Sequence, residues 1–247
     1  MEPQQNAEYG QQRYWEQRYQ HEDSYDWFPS VYAECVAITL QSVDRVYEQQ
    51  QQQQQQHNAG CRTIKVLHLG TGNSQLVRDL YLAYKNKYPG DAPYALLQVA
   101  VDYSPVVIEK MKQQYAAHQE PGYQVAWEVA DIRDLADVRR QHGPLFDLVV
   151  DKGTMDALQA DKNHDTMDED IDAMLTEVSR CLDNGSAEEK VHREFVQFTW
   201  EIPHYRLHYT VRSGADAYAW GDQVTNKRIG DSDMYRCYFY RVNGVPS

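Results

Sequence analysis

A short apolar run that ends in two closely spaced glycines constrains the fold more than any other part of the sequence. Residues 64–69 are followed by Gly70-Thr71-Gly72 and then by Asn73-Ser74, a pair that can begin a helix. This order predicts a buried strand that turns sharply into a helix. Glycines allow a ligand to lie against bare backbone, and the helix amides that follow can face a negative group.

The alternation of apolar runs and helical patterns continues along the chain. It predicts strands over residues 94–101, 123–129, 145–150 and 195–199, and helices over residues 31–47, 73–87, 104–118 and 166–182. Alternating strands and helices of this length form a parallel, doubly wound sheet, so the sequence predicts an α/β fold. Residues 217–224 and 235–242 alternate in polarity and predict a closing antiparallel pair.

Polar residues or glycines follow four successive predicted strands. In chain order they are Gly70 and Gly72, Asp102, Asp131, and Asp151 with Lys152. The carboxyl ends of parallel strands meet at one edge of a sheet, which is where such sheets bind ligands. We therefore predict a binding site at this edge.

The spacing of these residues narrows the class of ligand. The dinucleotide fingerprint needs a third glycine where this chain has Gln75, and it places the acid ~20 residues after the turn, whereas Asp102 lies 32 residues after Gly70. No Gly-Lys-Ser/Thr motif for a nucleoside triphosphate is present. A glycine turn without phosphate-binding chemistry, together with an acid for ribose hydroxyls, indicates S-adenosylmethionine.

The segments before the first core strand differ from the rest in composition. Residues 1–12 are rich in Gln, Asn and Glu and predict a disordered tail, and residues 13–47 predict a helical N-terminal cap with many aromatic side chains. The aromatic side chains either pack a helix on the sheet or cover the ligand, since aromatic faces attract a sulfonium cation. Residues 48–60 contain eight consecutive glutamines and predict a low-complexity insertion; residues 61–247 form the main domain.

Charge and cysteine content limit the partners and the compartment. The net charge of −13 argues against nucleic acid as a partner; it either favours a basic macromolecule or serves solubility alone. Four cysteines without paired spacing predict neither a metal site nor a secreted disulfide framework. No signal peptide or apolar run of ~20 residues is visible, so we expect no membrane partner and a cytoplasmic location.

Seven short motifs give the chain a specific resemblance. They are Tyr-Trp-Glu-x-Arg-Tyr (14–19), Tyr-Asp-Trp-Phe (25–28), Leu-Gly-Thr-Gly-Asn-Ser (69–74), Val-Asp-Tyr-Ser (101–104), Asp-Lys-Gly-Thr-Met-Asp-Ala-Leu (151–158), Glu-Val-Ser-Arg (177–180) and Pro-His-Tyr-Arg (203–206). From residue 14 onward the chain resembles class I S-adenosylmethionine-dependent methyltransferases. Within that class it resembles the methyltransferase-like subgroup of the translation elongation factor 1A lysine methyltransferases, in particular the lysine methyltransferase 4 branch.

The resemblance implies a Rossmann-like sheet of seven strands, mostly parallel, with the last strand antiparallel. It implies that Trp15, Tyr19 and Trp27 cover the cofactor. It also implies that Gly70 borders the methionine portion, that Asp102 binds the ribose hydroxyls and that Tyr103 stacks near adenine. Gly72 is a further implied cofactor contact. The remaining implied contacts are Asp131 and the Ile132 amide at the adenine edge and Lys152 beside the cofactor. Two residues depart from the usual pattern: Thr71 replaces a Cys, and His68 replaces an acid.

The implied activity is methyl transfer from S-adenosylmethionine to a protein lysine, with S-adenosylhomocysteine as product. Elongation factor 1A or a similar basic protein is the expected substrate, and a monomer is the expected state. No residue identifies itself as a general base, and no metal is expected. A methyltransferase for a small molecule and a non-catalytic scaffold with this fold remain the alternatives.

Overall fold

One sheet of seven strands forms the centre of the part of the chain that the structure describes. This computed structural model describes residues 3, 5–53, 62–90, 92–116, 123–160, 165–183, 185 and 191–242. The strands are β1 (Arg62–Leu69), β2 (Tyr94–Asp102), β3 (Tyr123–Val129), β4 (Leu148–Lys152), β5 (Arg193–Thr199), β6 (Val224–Ile229) and β7 (Tyr235–Val242). Their spatial order is β3-β2-β1-β4-β5-β7-β6.

The pairing agrees with the expected sheet. Strands β1 to β5 pair in parallel, and β7 is antiparallel to both β5 and β6. The strand order reverses at β1, which has β2 on one side and β4 on the other. In open parallel sheets such a reversal leaves a crevice beyond the carboxyl ends of the strands, so the topology positions a site there.

Eight α-helices of the described chain surround this sheet. They are α1 (Gln12–His21), α2 (Tyr32–Gln53), α3 (Leu76–Lys87), α4 (Pro105–Tyr115), α5 (Ala136–His142), α6 (Thr154–Leu158), α7 (Met167–Leu182) and α8 (Pro203–Thr210). Side chains of α2, α3 and α4 pack on one face of the sheet, and those of α5, α6 and α7 pack on the other. Buried apolar area on both faces explains why the inner strands are almost continuously apolar. No helix of the described residues is both long and apolar enough to cross a membrane.

The sixth strand lies later in the chain than predicted. Residues 217–223 form turns, with hydrogen bonds from the Gly221 amide to the Tyr218 carbonyl (2.8 Å) and from the Gln223 amide to the Trp220 carbonyl (2.9 Å). The alternation of polarity arises because Tyr218 and Trp220 are buried in the core, not because the segment pairs as a strand. The true edge strand β6 has mostly exposed side chains, so hydropathy does not reveal it.

The predicted disorder of residues 1–12 is wrong for the described part of this segment. Residues Asn6–Gly10 form a 3-10 helix, and α1 begins at Gln12. The Tyr9 ring lies 4.9 Å from the Trp27 ring, and the Tyr9 carbonyl accepts a hydrogen bond of 2.7 Å from Trp15 Nε1. These aromatic contacts hold a segment whose composition is typical of disorder.

The first half of the glutamine tract is helical, which corrects its prediction as a surface insertion. Helix α2 extends to Gln53, six residues beyond the predicted end at residue 47. Gln50 is fully buried and donates hydrogen bonds to Asp147 Oδ1 (2.8 Å) and to the His192 carbonyl (2.7 Å). The rest of the predicted insertion, residues 54–60, lies outside the described residues.

Candidate active site

A cavity of about 290 Å³ lies beyond the carboxyl ends of β1, β2 and β4. All ten residues predicted to contact a cofactor line this one cavity: Trp15, Tyr19, Trp27, Gly70, Gly72, Asp102, Tyr103, Asp131, Ile132 and Lys152.

Of the residues noted after the fourth strand, Asp151 is absent from the lining. Its fully buried carboxylate accepts hydrogen bonds from Gln197 Nε2 and from the Thr154 amide, both 2.8 Å long.

The glycine turn needs both glycines, partly for a reason that the sequence did not reveal. Gly70 and Gly72 have φ angles of +52° and +51°, in the region that favours glycine. A Cβ on Gly70 would lie 2.4 Å from the Thr154 side chain, and one on Gly72 would lie 2.8 Å from the Tyr19 hydroxyl. Side chains of the protein therefore leave no room for a Cβ at either position, while the backbone of both glycines still lines the cavity.

Asp102 lies at the end of β2, and only 2% of its surface is exposed. Its two carboxylate oxygens accept hydrogen bonds of 2.9 Å from the amides of Gly72 and Ser104. Burial raises the pKa of Asp102 to about 6, although these two hydrogen bonds act in the opposite direction. Each oxygen keeps a second lone pair, so the carboxylate is oriented and still able to accept a hydroxyl donor.

Arg133 is a cavity residue that sequence reasoning missed. Its Nη2 lies 2.6 Å from Asp131 Oδ2, and its Nη1 lies 2.7 Å from Asp170 Oδ1 on α7. Burial alone would raise the pKa of Asp131, but the hydrogen bonds from Arg133 outweigh it and lower the pKa. The carboxylate of Asp131 is thus held by a protein cation. No local motif marks Arg133, since its second partner is 37 positions away.

Four aromatic rings of the N-terminal cap lie in the cavity wall, those of Trp15, Tyr19, Tyr25 and Trp27. The Trp15 ring stacks on Tyr19 at 5.7 Å between centroids and meets the Trp27 ring at 5.8 Å. Trp15 and Tyr19 are each only 6% exposed. The rings therefore pack on the domain and also line the cavity, and their role as a cover over the ligand stays a prediction.

An ion pair joins the N-terminal cap to the end of β4. Lys152 Nζ lies 2.8 Å from Asp26 Oδ2, and the same oxygen accepts a hydrogen bond of 3.1 Å from Ser74 Oγ in the glycine turn. The lysine also lies 5.4 Å from the centre of the Phe28 ring. In the sequence analysis Asp26 entered only as part of the Tyr-Asp-Trp-Phe motif. Its contact with Lys152 was not predicted, because the two residues are 126 positions apart.

His68 lines the cavity as a neutral side chain. It is 3% exposed, and its Nε2 lies 2.7 Å from Gln98 Oε1. Burial lowers the pKa of His68 to about 4, so the ring carries no charge near neutral pH. The replacement of the usual acid therefore adds no charge to this wall.

The charges of the lining indicate which ligands the cavity can hold. The two cations that line it, Arg133 and Lys152, each pair with carboxylates of the protein. Their positive charges are thus balanced by carboxylates, which disfavours a phosphate ligand, whereas Asp102 can accept hydroxyl groups and the aromatic rings can face a cation. Among the described residues, no group of three or more His, Cys, Asp or Glu side chains could hold a metal ion.

The sequence profile of a family described as a methyltransferase domain matches residues 62–190. The chain belongs to this methyltransferase family. The matched residues contain the glycine turn, Asp102, Asp131 and Lys152, which are the parts of the cavity that the sheet supplies.

Three relatives are similar to this chain over a larger share of its length. The chain is 31% identical to mouse EEF1A lysine methyltransferase 4 over 222 residues, which cover 87% of this chain and 70% of the relative. The bovine protein of the same name is 31% identical over 218 residues, with 84% and 68% covered. Bovine eEF1A lysine and N-terminal methyltransferase is 28% identical over 185 residues, with 74% and 21% covered.

The present chain is an S-adenosylmethionine-dependent methyltransferase, and its cavity fits that cofactor. The buried carboxylate of Asp102 suits the ribose hydroxyls, and the rings of Trp15, Tyr19 and Trp27 suit the positive sulfur. When bound, the cofactor supplies an electrophilic methyl group.

Proposed function

We propose that this methyltransferase modifies lysine side chains of a protein, with elongation factor 1A as the first candidate substrate. The observation that carries the proposal is the 31% identity, over 87% of the chain, to a relative named EEF1A lysine methyltransferase 4. The net charge of −13 supports it, because an acidic enzyme attracts a basic protein and repels nucleic acid.

The site can favour the reactive form of a lysine without a dedicated base. A lysine side chain has an unperturbed pKa of ~10.4, and only its neutral amine can attack a methyl group. Removing an ammonium group from water lowers its pKa, and the aromatic rings of Trp27 and Trp200 beside the end of β4 provide such an environment. Correct placement of the amine lone pair then contributes most of the rate.

Labelling of a lysate depleted of endogenous methylation tests this proposal. The enzyme is added with tritiated S-adenosylmethionine, and the Asp102→Ala variant serves as the control. We expect a labelled band of elongation factor 1A with the unaltered enzyme and none with the variant. A different labelled protein would refute the substrate, and label only in small molecules would favour the metabolite alternative. A lack of cofactor binding in calorimetry would favour the scaffold alternative.

We also propose a cytoplasmic, monomeric protein without membrane or nucleic-acid partners. Cys35, Cys181 and Cys237 are buried free thiols, which suits a reducing compartment. High net charge opposes self-association. Cell fractionation tests the location and the lack of a membrane partner, and a membrane-bound pool would contradict them. Sedimentation with and without added nucleic acid tests the other two statements, and a stable dimer or a complex with nucleic acid would contradict them.

A further inference from the structure

Three of the most exposed large apolar side chains lie close together in the fold, at the ends of β5 and β7. In the described part of the chain, five such residues are more than two-fifths exposed: Leu82, Val129, Ile202, Tyr205 and Met234. Ile202 (43% exposed) and Tyr205 (58%) follow β5, and Met234 (56%) directly precedes β7. We call these three residues the rim patch.

The rim patch lies at the same edge of the sheet as the cavity. Thr199 at the end of β5 pairs with Arg236 near the start of β7, so Met234 and Ile202 leave the sheet at one corner. The adjoining loop is fixed by a hydrogen bond of 2.9 Å from the Tyr238 hydroxyl to the Glu201 carbonyl.

Aromatic contacts link this corner to the cavity wall. Trp200, two residues before Ile202, lies 5.4 Å from the ring of Trp27, which lines the cavity. Its ring also lies close to the backbone of Gly153, another lining residue. The rim patch is therefore next to the end of β4.

A buried arginine holds the helix that presents Tyr205. Arg206 is fully buried, donates a hydrogen bond of 2.7 Å to Thr199 Oγ1 and pairs with Asp156 on α6. These contacts attach α8 to the ends of β5 and α6 while Tyr205, one residue earlier, faces solvent. None of the residues of the Pro-His-Tyr-Arg motif lines the cavity, so the motif has no role yet in cofactor binding.

Acidic side chains border the cavity near α8. The first turn of α7 carries Asp168, Glu169 and Asp170; the first two are exposed, and Asp170 lines the cavity. Burial and the nearby carboxylate of Asp168 raise the pKa of Tyr209 on α8, so this acidic turn lies next to the helix that carries Tyr205. Apolar and acidic groups thus border the cavity together.

We propose that the rim patch binds a basic, lysine-bearing segment of the protein substrate through an apolar side chain close to the target lysine. This inference rests on the proposed function and deepens it. Tyrosine is a common source of binding energy in interfaces, because a large ring is buried with little loss of conformational freedom. Charge complementarity identifies the occupant: at a net charge of −13, a second copy of this chain and an anionic membrane are both repelled.

Matched surface substitutions test this inference, with elongation factor 1A as the probe. Ile202→Ser and Tyr205→Ala remove parts of the rim patch, and Leu82→Ser on α3 is the control, since Leu82 is 42% exposed and Ile202 43%. We measure the KM and kcat of methylation and, by calorimetry, the Kd for S-adenosylhomocysteine. The Kd also shows whether each variant is folded.

We expect Tyr205→Ala to raise the KM for the probe about five- to thirtyfold, with unchanged cofactor Kd and an unaffected control. Tyr205→Phe should restore most of the lost affinity, because the ring is retained. An unchanged KM in both rim variants, or an equal loss in the control, would overturn the inference alone. Failure of the unaltered enzyme to label the probe would overturn the proposed function and the inference with it.

Discussion

The protonation state of Asp102 controls cofactor binding in this account. Burial raises the pKa of this carboxyl group to about 6, and ribose hydroxyls donate to its ionised form. Binding is therefore at full strength above pH 7 and weakens as the pH falls through 6. At pH 5 we expect the Kd for S-adenosylhomocysteine to be about tenfold higher than at pH 8, as measured by calorimetry.

The Asp102→Asn variant is the control for this pH dependence. Asparagine does not titrate, so its weaker binding should not change between pH 5 and pH 8. The same pH dependence in the variant and in the unaltered enzyme would show that another group titrates and would contradict the role of Asp102.

The aromatic rings of the cap should distinguish the charged cofactor from its neutral product. Trp27 lines the cavity and contacts Trp15 and Trp200. A cation–π contact contributes ~0.5–2 kcal/mol, and S-adenosylmethionine has a positive sulfur whereas S-adenosylhomocysteine does not. Trp27→Leu should therefore weaken binding of S-adenosylmethionine about two- to thirtyfold more than binding of the product.

Calorimetry of both ligands with Trp27→Leu and Trp27→Phe provides this comparison. The phenylalanine variant keeps an aromatic face and should lose much less of the preference. If Trp27→Leu weakens both ligands by the same factor, the ring contributes shape alone and the cation–π assignment is wrong.

At the scale of elements, the contact between Asp26 and Lys152 attaches the N-terminal cap to the sheet. The lysine side chain is 7% exposed and the aspartate side chain 17%. Asp26→Asn leaves the lysine charge without its partner, so we expect the free energy of unfolding to fall by about 2–4 kcal/mol in denaturant titrations. The double variant Asp26→Asn/Lys152→Met should lose less than the sum of the two single changes. Strictly additive losses would show that the pair does not couple the two elements.

Helix α2 depends on one glutamine of the tract and not on its neighbours. Gln50 is buried and donates two hydrogen bonds, whereas Gln52 is exposed. Gln50→Ala removes two buried hydrogen bonds and should lower the free energy of unfolding by about 1–3 kcal/mol. Gln52→Ala, in the same tract, should change it by less than about 0.5 kcal/mol. Equal effects at the two positions would mean that the tract does not depend on tertiary contacts.

Prediction succeeded for elements with strong local signals and failed where distant contacts decide. Strand β3 has its predicted bounds of residues 123–129, and α7 begins one residue after its prediction. The short helix α5 was missed, because seven residues give little periodicity. The helical start of the glutamine tract was missed because Asp147 and His192, far along the chain, hold Gln50.

At the scale of the molecule, parallel topology explains why the site residues could be predicted together. Strand ends that are far apart in sequence meet at one edge, so Gly70, Asp102 and Lys152 line the same cavity. Strand topology does not predict the residues that hold the glycine turn and Lys152 in place. Thr154 donates a hydrogen bond of 3.0 Å to the Leu69 carbonyl from 85 positions away, and Asp26 reaches Lys152 from 126 positions away.

The whole molecule thus combines a cofactor cavity formed by sheet and cap with an acidic surface. A crystal structure with S-adenosylhomocysteine bound tests this arrangement most directly. We predict density in the cavity between the cap and the sheet, with the ribose hydroxyls at Asp102 and the sulfur facing the rings of Trp15, Tyr19 and Trp27. Density at another place, or a ribose that does not touch Asp102, would contradict the account.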